Sequence, residues 1–180
     1  AAAATPEFVN CLLVNNTSNN GVDVIRNSAS SIFINCTFAG GAGNNVFVLA
    51  DESELHLTNC IVWCTFTTSI SLGNPAMDMA NVSYSDIYGG YMGVGNINAD
   101  PQFIAPPTTT GGGRSPTVFA DGDEHLSLGS PAIDAGNNAA LPTDITTDLD
   151  GRSRFIDIPG VNDPGAIVDM GTYEAWRSLV

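Results

Sequence analysis

The amino-acid sequence predicts an all-β fold, namely a right-handed parallel β-helix with coils of about 24–25 residues and an irregular C-terminal cap. The main observation is a short phrase ending in Asn-Cys that recurs at spacings of 25, 24 and 25 residues. Its copies are Phe8-Val9-Asn10-Cys11, Phe33-Ile34-Asn35-Cys36 and Leu57-Thr58-Asn59-Cys60, with a degenerate fourth at Val82-Ser83-Tyr84-Ser85. A unit this short cannot bury its own hydrophobic face, so it must stack on its neighbours, as in a solenoid.

Apolar residues repeat with the same period and indicate the strands of each coil. They alternate with other residues, which is the pattern of a strand with one buried face. The repeating pairs are Val22 and Val24, Val46 and Val48, and Ile70 and Leu72, with Val94 continuing the first column. No stretch keeps an apolar period of 3.6 residues long enough for a sizeable helix. Each unit is therefore predicted to be one coil of three short strands and three turns.

Equivalent residues of stacked coils should form ladders. Asn10, Asn35 and Asn59 are predicted to form an asparagine ladder at one turn, because asparagine tolerates left-handed backbone geometry and its amide both donates and accepts hydrogen bonds. An inward column should follow this turn, made of Leu13, Phe38, Val62 and Ile87.

Cys11, Cys36 and Cys60 should stack beside this ladder, with Ser85 in the fourth place. One interpretation makes them small buried hydrophobes, since free cysteine is among the most buried residue types. The other is a disulfide between neighbouring coils, or a metal site that includes Cys64. Stacked parallel side chains seldom offer the dihedral angle of about 90° that a disulfide needs, and no histidine pair accompanies the cysteines. The first interpretation is therefore favoured.

The charge balance limits the classes of partner. Nineteen Asp and Glu residues stand against five arginines, and the chain has no lysine, so its formal net charge is −14. A field of that sign repels DNA, RNA and anionic membranes, so no nucleic-acid partner is expected. No apolar run reaches the ~20 residues of a membrane helix, so no membrane insertion is expected. The composition favours calcium-rich surroundings outside the cell or at its surface.

Composition divides the chain into three parts. Parallel β-helix coils are expected over 1–104, a Pro/Thr/Gly-rich loop over 105–123, and a capping and ion-binding tail over 124–180. The repeat begins almost at the first residue, so the N-terminal coil is expected to be open, with an unpaired strand edge. The expected partners at that end are a second copy of the chain, through self-association, or further β-helix coils.

The tail contains a series of motifs that carry a family resemblance. In order they are Asp-Pro-x-Phe at 100–103, Ser-Pro-Ala-Ile-Asp-Ala-Gly at 130–136, Asp-Leu-Asp-Gly-x-x-Arg at 148–154 and Asp-Met-Gly-x-Tyr-Glu at 169–174. With the Asn-Cys repeats, this order resembles the C-terminal part of secreted bacterial right-handed β-helix proteins. The repeats are similar to those of polymorphic outer-membrane proteins, and the ending is similar to that of choice-of-anchor Q proteins. The resemblance implies a secreted or cell-surface bacterial protein and names no substrate.

The same tail suggests a bound calcium ion. Asp148, Asp150 and Gly151 match positions three, five and six of a calcium loop, and Asp157 falls at position twelve. The candidate calcium ligands are Asp144, Asp148, Asp150 and Asp157. In the alternative interpretation, the two tail arginines pair with tail carboxylates and lock the tail against the last coil. Those residues are Arg152 and Arg154 with Asp134, Asp148, Asp150, Asp169 or Glu174.

Aromatic residues suggest a carbohydrate-binding face. Trp63, Tyr88 and Tyr91 could form a platform for sugar rings, although Trp63 and Tyr88 occupy equivalent positions in adjacent coils and could instead stack on each other. His56 follows an acidic turn and could form an acid–base pair with Asp51 or Glu54. The alternative for that pair is a solvated acidic turn beside an outward histidine.

Two hypotheses for the function follow. The first is an extracellular structural or adhesive surface module that can assemble end to end into a fibre. The alternative is the C-terminal portion of a secreted polysaccharide lyase or glycoside hydrolase, or a carbohydrate-binding β-helix. No complete catalytic set is visible in the sequence, so the first hypothesis is favoured.

Overall fold

Short β-strands make up nearly all the regular structure of the computed structural model, which describes residues 5–18, 23–25, 29–64, 68–110, 118–120, 122–161, 165 and 167–176. In chain order the strands are β1 Glu7–Val9, β2 Leu12–Val14, β3 Thr17–Ser18, β4 Asp23–Ile25, β5 Ser30–Ile34, β6 Thr37–Ala39, β7 Ala42–Gly43, β8 Asn45–Leu49, β9 Glu54–Thr58, β10 Ile61–Trp63, β11 Thr68–Leu72, β12 Met79–Ser83, β13 Asp86–Ile87, β14 Phe103–Ala105, β15 Thr108–Thr110, β16 Val118–Ala120 and β17 Asp123–Leu126. The described residues also form one 3₁₀ helix, Asn138–Ala140, and no α-helix. The predicted all-β class is confirmed.

Three parallel sheets organise the first half of the chain. The first sheet has the order β1-β5-β9-β12, the second β2-β6-β10-β13 and the third β4-β8-β11. Each sheet takes one strand from each successive unit, as the predicted coils require. Strands β3 and β7 form a further parallel pair, whereas β14 with β17 and β15 with β16 are antiparallel. This arrangement of parallel sheets is compatible with a parallel β-helix.

The repeat spacing sets the register of the first sheet. Phe8 lies opposite Phe33, Phe33 opposite Leu57, and Leu57 opposite Val82. Because a shift by one residue would turn every inward side chain to solvent, a repeated hydrophobic pattern specifies this pairing strongly. Phe8 and Phe33 also stack, with ring centroids 4.7 Å apart.

The interior between the sheets is a continuous apolar core. Its fully buried members, such as Leu55, Leu57 and Val62, come from neighbouring strands of two sheets. Each fully buried side chain of this size contributes about 1.5–3 kcal/mol relative to an exposed one. Val94 departs from its predicted column with Val46 and Ile70, because it is 67% exposed in a loop beyond β13. Val22 lies outside the described residues, as do 111–117 and 121 of the predicted loop.

A second apolar cluster joins the tail to the outer face of the second sheet. Ala39 and Ile61 of that sheet pack in one cluster with Ile133, Ile158 and Met170 of the tail. The tail therefore covers the outer face of the second sheet, which would otherwise expose apolar side chains. Among the described residues, no helix is long and apolar enough to cross a membrane.

Candidate functional site

The asparagine turns between the first and second sheets adopt the predicted left-handed backbone. The φ angles of Asn10, Asn35 and Asn59 are 54°, 49° and 55°, and Tyr84 has 47° at the fourth turn. Asparagine enters this region at lower cost than most residues, since its short polar side chain can hydrogen-bond locally. These turns leave the asparagine amides free to bond outside their own loops.

The tail binds to these amides. Asn35 Nδ2 donates to the carbonyl oxygens of Asp169 and Gly171, at 3.1 and 3.4 Å. Asn59 Nδ2 donates to Asn35 Oδ1 at 3.2 Å and to the Asn137 carbonyl at 3.1 Å, and its Oδ1 accepts from Asn137 N at 2.7 Å. The predicted ladder contact is thus present between Asn35 and Asn59. Both residues also bind the tail to the turns between the first and second sheets.

Asn10 faces the tail as well. Its Nδ2 donates to the Thr147 carbonyl at 2.8 Å, and its Oδ1 accepts from the guanidinium of Arg154. The next repeat unit contributes the Thr37 hydroxyl, which accepts from Thr172 N at 3.0 Å. Three successive repeat units therefore contact the tail through polar groups.

Cys11, Cys36 and Cys60 directly follow these turns, and no disulfide is present among the four cysteines. All four are free, and Cys36, Cys60 and Cys64 are buried. Cys11 N donates to Cys36 Sγ at 3.4 Å, so these two members of the predicted cysteine column are neighbours. Burial raises the pKa of Cys64 to about 12, so its thiol stays protonated at neutral pH. This environment suits small buried hydrophobes.

The four candidate calcium ligands are used in other ways or face solvent. Asp148 Oδ1 accepts from Asp150 N at 3.0 Å and Arg152 N at 2.8 Å, and its Oδ2 accepts from Glu174 N at 3.0 Å. Asp144 and Asp157 are exposed. The described part of the chain contains no group of three or more His, Cys, Asp or Glu side chains placed to hold a metal ion. The arrangement around Asp148 does not fit a calcium loop, and calcium binding stays a prediction.

A buried arginine lies at the centre of the tail. Arg154 is fully buried, and its guanidinium donates to the carbonyls of Gly171 and Thr172 at 3.1 and 2.6 Å. It also donates to Glu174 Oε1 at 2.9 Å and to the Asn10 side chain. One side chain thus joins the loop around 154, the segment 171–174 and the first asparagine turn.

Several carboxyl groups are buried near this arginine or in β13. Asp169 accepts from Asp134 N at 2.7 Å and Ala175 N at 2.6 Å, and burial raises its pKa to about 7. Burial also raises the pKa of Asp86 to about 7. For Glu174, burial and the nearby Asp169 raise the pKa despite the adjacent guanidinium.

We expect the free energy of unfolding to increase by a few kcal/mol as the pH falls from 8 to 5, at about 1.4 kcal/mol per unit of pKa shift. Because Asp86 and Asp169 have folded-state pKa values above those of the unfolded chain, their contribution is full at low pH and lost as pH rises towards 7. Below about pH 4 the trend reverses, because backbone N–H donors such as Asn74 lower the pKa of Asp78.

Urea unfolding at several pH values measures this profile, with Asp86→Asn as the matched control. That variant should show a smaller change in the free energy of unfolding between pH 7 and pH 5. The difference separates the effect of the buried Asp86 carboxyl from the weaker charge repulsion that acidification causes in a chain of net charge −14. Stability that is flat or falls on acidification from pH 8 to 5 would contradict the prediction.

A cleft of about 430 Å³, here called the tail cleft, opens where the tail meets the β14–β17 pair. The residues that define it are Ile104, Asp123, His125, Leu128, Arg152 and Trp176. The exposed fractions of Ile104, Leu128 and Trp176 are 60%, 50% and 48%, so the cleft combines exposed apolar side chains with polar ones. Such a mixture of apolar walls and a few convergent polar groups is typical of ligand sites.

Two carboxylates hold His125 at the polar side of the cleft. Asp123 Oδ1 lies 2.5 Å from His125 Nδ1, and Asp150 Oδ2 lies 2.9 Å from Nε2. The imidazole stacks on Tyr173 with ring centroids 4.0 Å apart. Burial lowers the pKa of His125, but hydrogen bonds to the two carboxylates outweigh it, so the pKa is raised overall. The ring is therefore fixed in position by two hydrogen bonds and a stacking contact.

Arg152 links this histidine group to the exposed tryptophan. Its Nη1 lies 3.0 Å from Asp150 Oδ2, and its guanidinium carbon lies 4.9 Å from the centre of the Trp176 ring, a cation–π distance. The cleft thus offers an indole, hydrogen-bond donors and carboxylate acceptors within one concave surface. Such groups can bind a ligand that has both hydroxyl groups and an apolar ring face.

The residues predicted to bind carbohydrate have a different arrangement. Trp63 and Tyr88 contact each other edge to face, with centroids 5.2 Å apart and planes at 89°, and Tyr91 packs against the core. They form no flat common platform. His56 Nε2 lies 3.1 Å from Glu54 Oε1, so that pair is in contact.

The sequence did not predict that the residues of the tail cleft come together. Asp123 and His125 are two residues apart on β17, so their side chains lie on the same face of the strand. This spacing was the one local sign of the cleft in the sequence. Asp150, Arg152 and Trp176 come from other loops, and their approach depends on how the tail folds. Comparison with protein-family models, curated proteins and solved structures found no match.

Proposed function

We propose that the three parallel sheets are the faces of a right-handed parallel β-helix. Each sheet adds one strand per 24–25-residue unit, and equivalent residues lie opposite each other in successive units. The left-handed turns at Asn10, Asn35 and Asn59 repeat at the same corner. This stacking supports a solenoid with a laterally attached tail.

On this basis we propose an extracellular structural or adhesive surface module that binds polysaccharide. The observation that carries the proposal is the tail cleft, whose indole and polar groups are held on a rigid support of stacked coils. Glu174 connects the two, because it lines the cleft and contacts the buried Arg154. A ligand site on a fixed support needs little ordering on binding, which favours affinity.

The charge and the resemblance to secreted β-helix proteins support the location. A net charge of −14 with no lysine favours a protein that stays soluble and away from nucleic acids. Calcium binding, end-to-end assembly into a fibre and the lyase or hydrolase alternative stay predictions from the sequence.

Replacing Trp176 by alanine should weaken polysaccharide binding at least tenfold, because the indole is the largest exposed apolar group in the cleft. Biosensor measurements on immobilised protein, with a panel of neutral and acidic bacterial polysaccharides, test this. Phe155→Ala is the matched control, since Phe155 is an aromatic tail residue that is 46% exposed and does not line the cleft. Absence of binding to every polysaccharide, or equal binding by both variants, would overturn the proposal.

A further inference from the structure

A second concave surface lies on the outer face of the first sheet, and it shares no residue with the tail cleft. This sheet groove has a volume of about 380 Å³. Its floor is formed by outward side chains of two adjacent strands, His56 and Thr58 of β9 with Asn81 and Ser83 of β12. Because residues two apart on a strand face the same side, these four groups form a two-by-two polar array.

Internal hydrogen bonds hold this array in place. Glu54 Oε1 lies 3.1 Å from His56 Nε2 and accepts from Asn81 Nδ2 at 2.9 Å. The hydroxyls of Thr58 and Ser83 lie 3.4 Å apart. One carboxylate therefore orients the imidazole and the amide together, so the floor presents donors and acceptors with little freedom to lose on binding.

A rigid loop places a methionine at the edge of the groove. Met92 is 92% exposed, although exposure of a large apolar side chain is unfavourable. The adjacent Gly93 lies so close to β12 that an added Cβ would sit 1.9 Å from the Val82 carbonyl oxygen. Asn96 Nδ2 donates to the carbonyls of Val82 and Tyr91 at 3.0 and 3.2 Å, which fixes the loop. The position of Met92 is thus set by the fold.

We infer that the sheet groove is a second binding site, which accepts a neutral, polyhydroxylated ligand such as a segment of a hexose chain. Paired donors and acceptors on the floor suit vicinal hydroxyl groups, and the Met92 side chain suits the C–H face of a sugar ring. An anionic ligand is disfavoured by Glu54 within the array and by the negative charge of the whole chain. The sheet groove would therefore give the protein a second binding site in addition to the tail cleft.

Methyl NMR of the full chain labelled with ¹³C-methyl methionine tests this inference, because the chain has only four methionines. Maltohexaose, cellohexaose and mannohexaose are the probes. At least one should shift the Met92 signal in a saturable way and leave that of the buried Met170 unchanged. Asn81→Ala should weaken the binding at least tenfold, since it removes one donor of the floor.

Two controls keep the result specific. Trp176→Ala should leave the Met92 titration unchanged, so failure of the tail cleft and failure of the groove can be told apart. An unchanged Met170 signal in Asn81→Ala shows that this variant is folded. If none of the three hexasaccharides shifts Met92, or if Asn81→Ala binds as well as the parent protein, the inference is wrong.

Discussion

Replacement of Arg154 by methionine is expected to lower the free energy of unfolding by about 3–5 kcal/mol, the range found when one partner of a buried charged contact is removed. The variant leaves the carbonyls of Gly171 and Thr172 without these donors inside the protein. It also leaves the buried Glu174 without its adjacent cation. Urea unfolding at neutral pH measures the loss.

Arg152→Met is the matched control for this variant. The Arg152 side chain is 34% exposed and its partner Asp150 is 36% exposed, and such pairs contribute about 1 kcal/mol or less. Equal losses for the two arginines would contradict a central role for Arg154. Arg154→Met should also weaken any ligand binding that depends on Trp176, since Glu174 belongs to both the anchor and the cleft.

The sequence was sufficient for the repeating part of the fold because the evidence is local and repeated. The spacing of Phe8, Phe33 and Leu57 predicted which residues lie opposite each other, and the register follows it. The left-handed turn at Asn35 was also predictable, since asparagine is one of few residues that suit it. The prediction that Val94 is buried was wrong, because the apolar spacing continues past the last strand of the parallel sheets.

The tail could not be predicted in the same way. Asn35 contacts Asp169 and Gly171, which lie 134 and 136 positions further along the chain. No periodic pattern encodes such a contact. Asp148 looked like a calcium ligand because an aspartate that caps backbone N–H groups and one that binds an ion occur in similar loops. Only the folded loop shows that its oxygens accept from three N–H groups.

Replacement of Asn59 by alanine is expected to cost about 3–4 kcal/mol, the second-largest effect predicted. Its buried amide makes contacts with Asn35 and with both backbone groups of Asn137, at about 1 kcal/mol each. Its φ of 55° adds about 1 kcal/mol, because alanine is strained in the left-handed region. Thermal or urea unfolding measures the total, and hydrogen exchange at the Asn137 amide reports whether the tail has loosened.

Asn59→Gly separates the two causes, since glycine adopts the left-handed turn without strain but lacks the amide. It should be about 1 kcal/mol more stable than Asn59→Ala and should show the same rapid exchange at Asn137. If glycine restored full stability, the backbone turn alone would explain the effect, and the amide would have no role in fastening the tail. If both variants kept slow exchange at Asn137, the anchoring would instead depend on Arg154 and the apolar cluster around Ile61 and Met170.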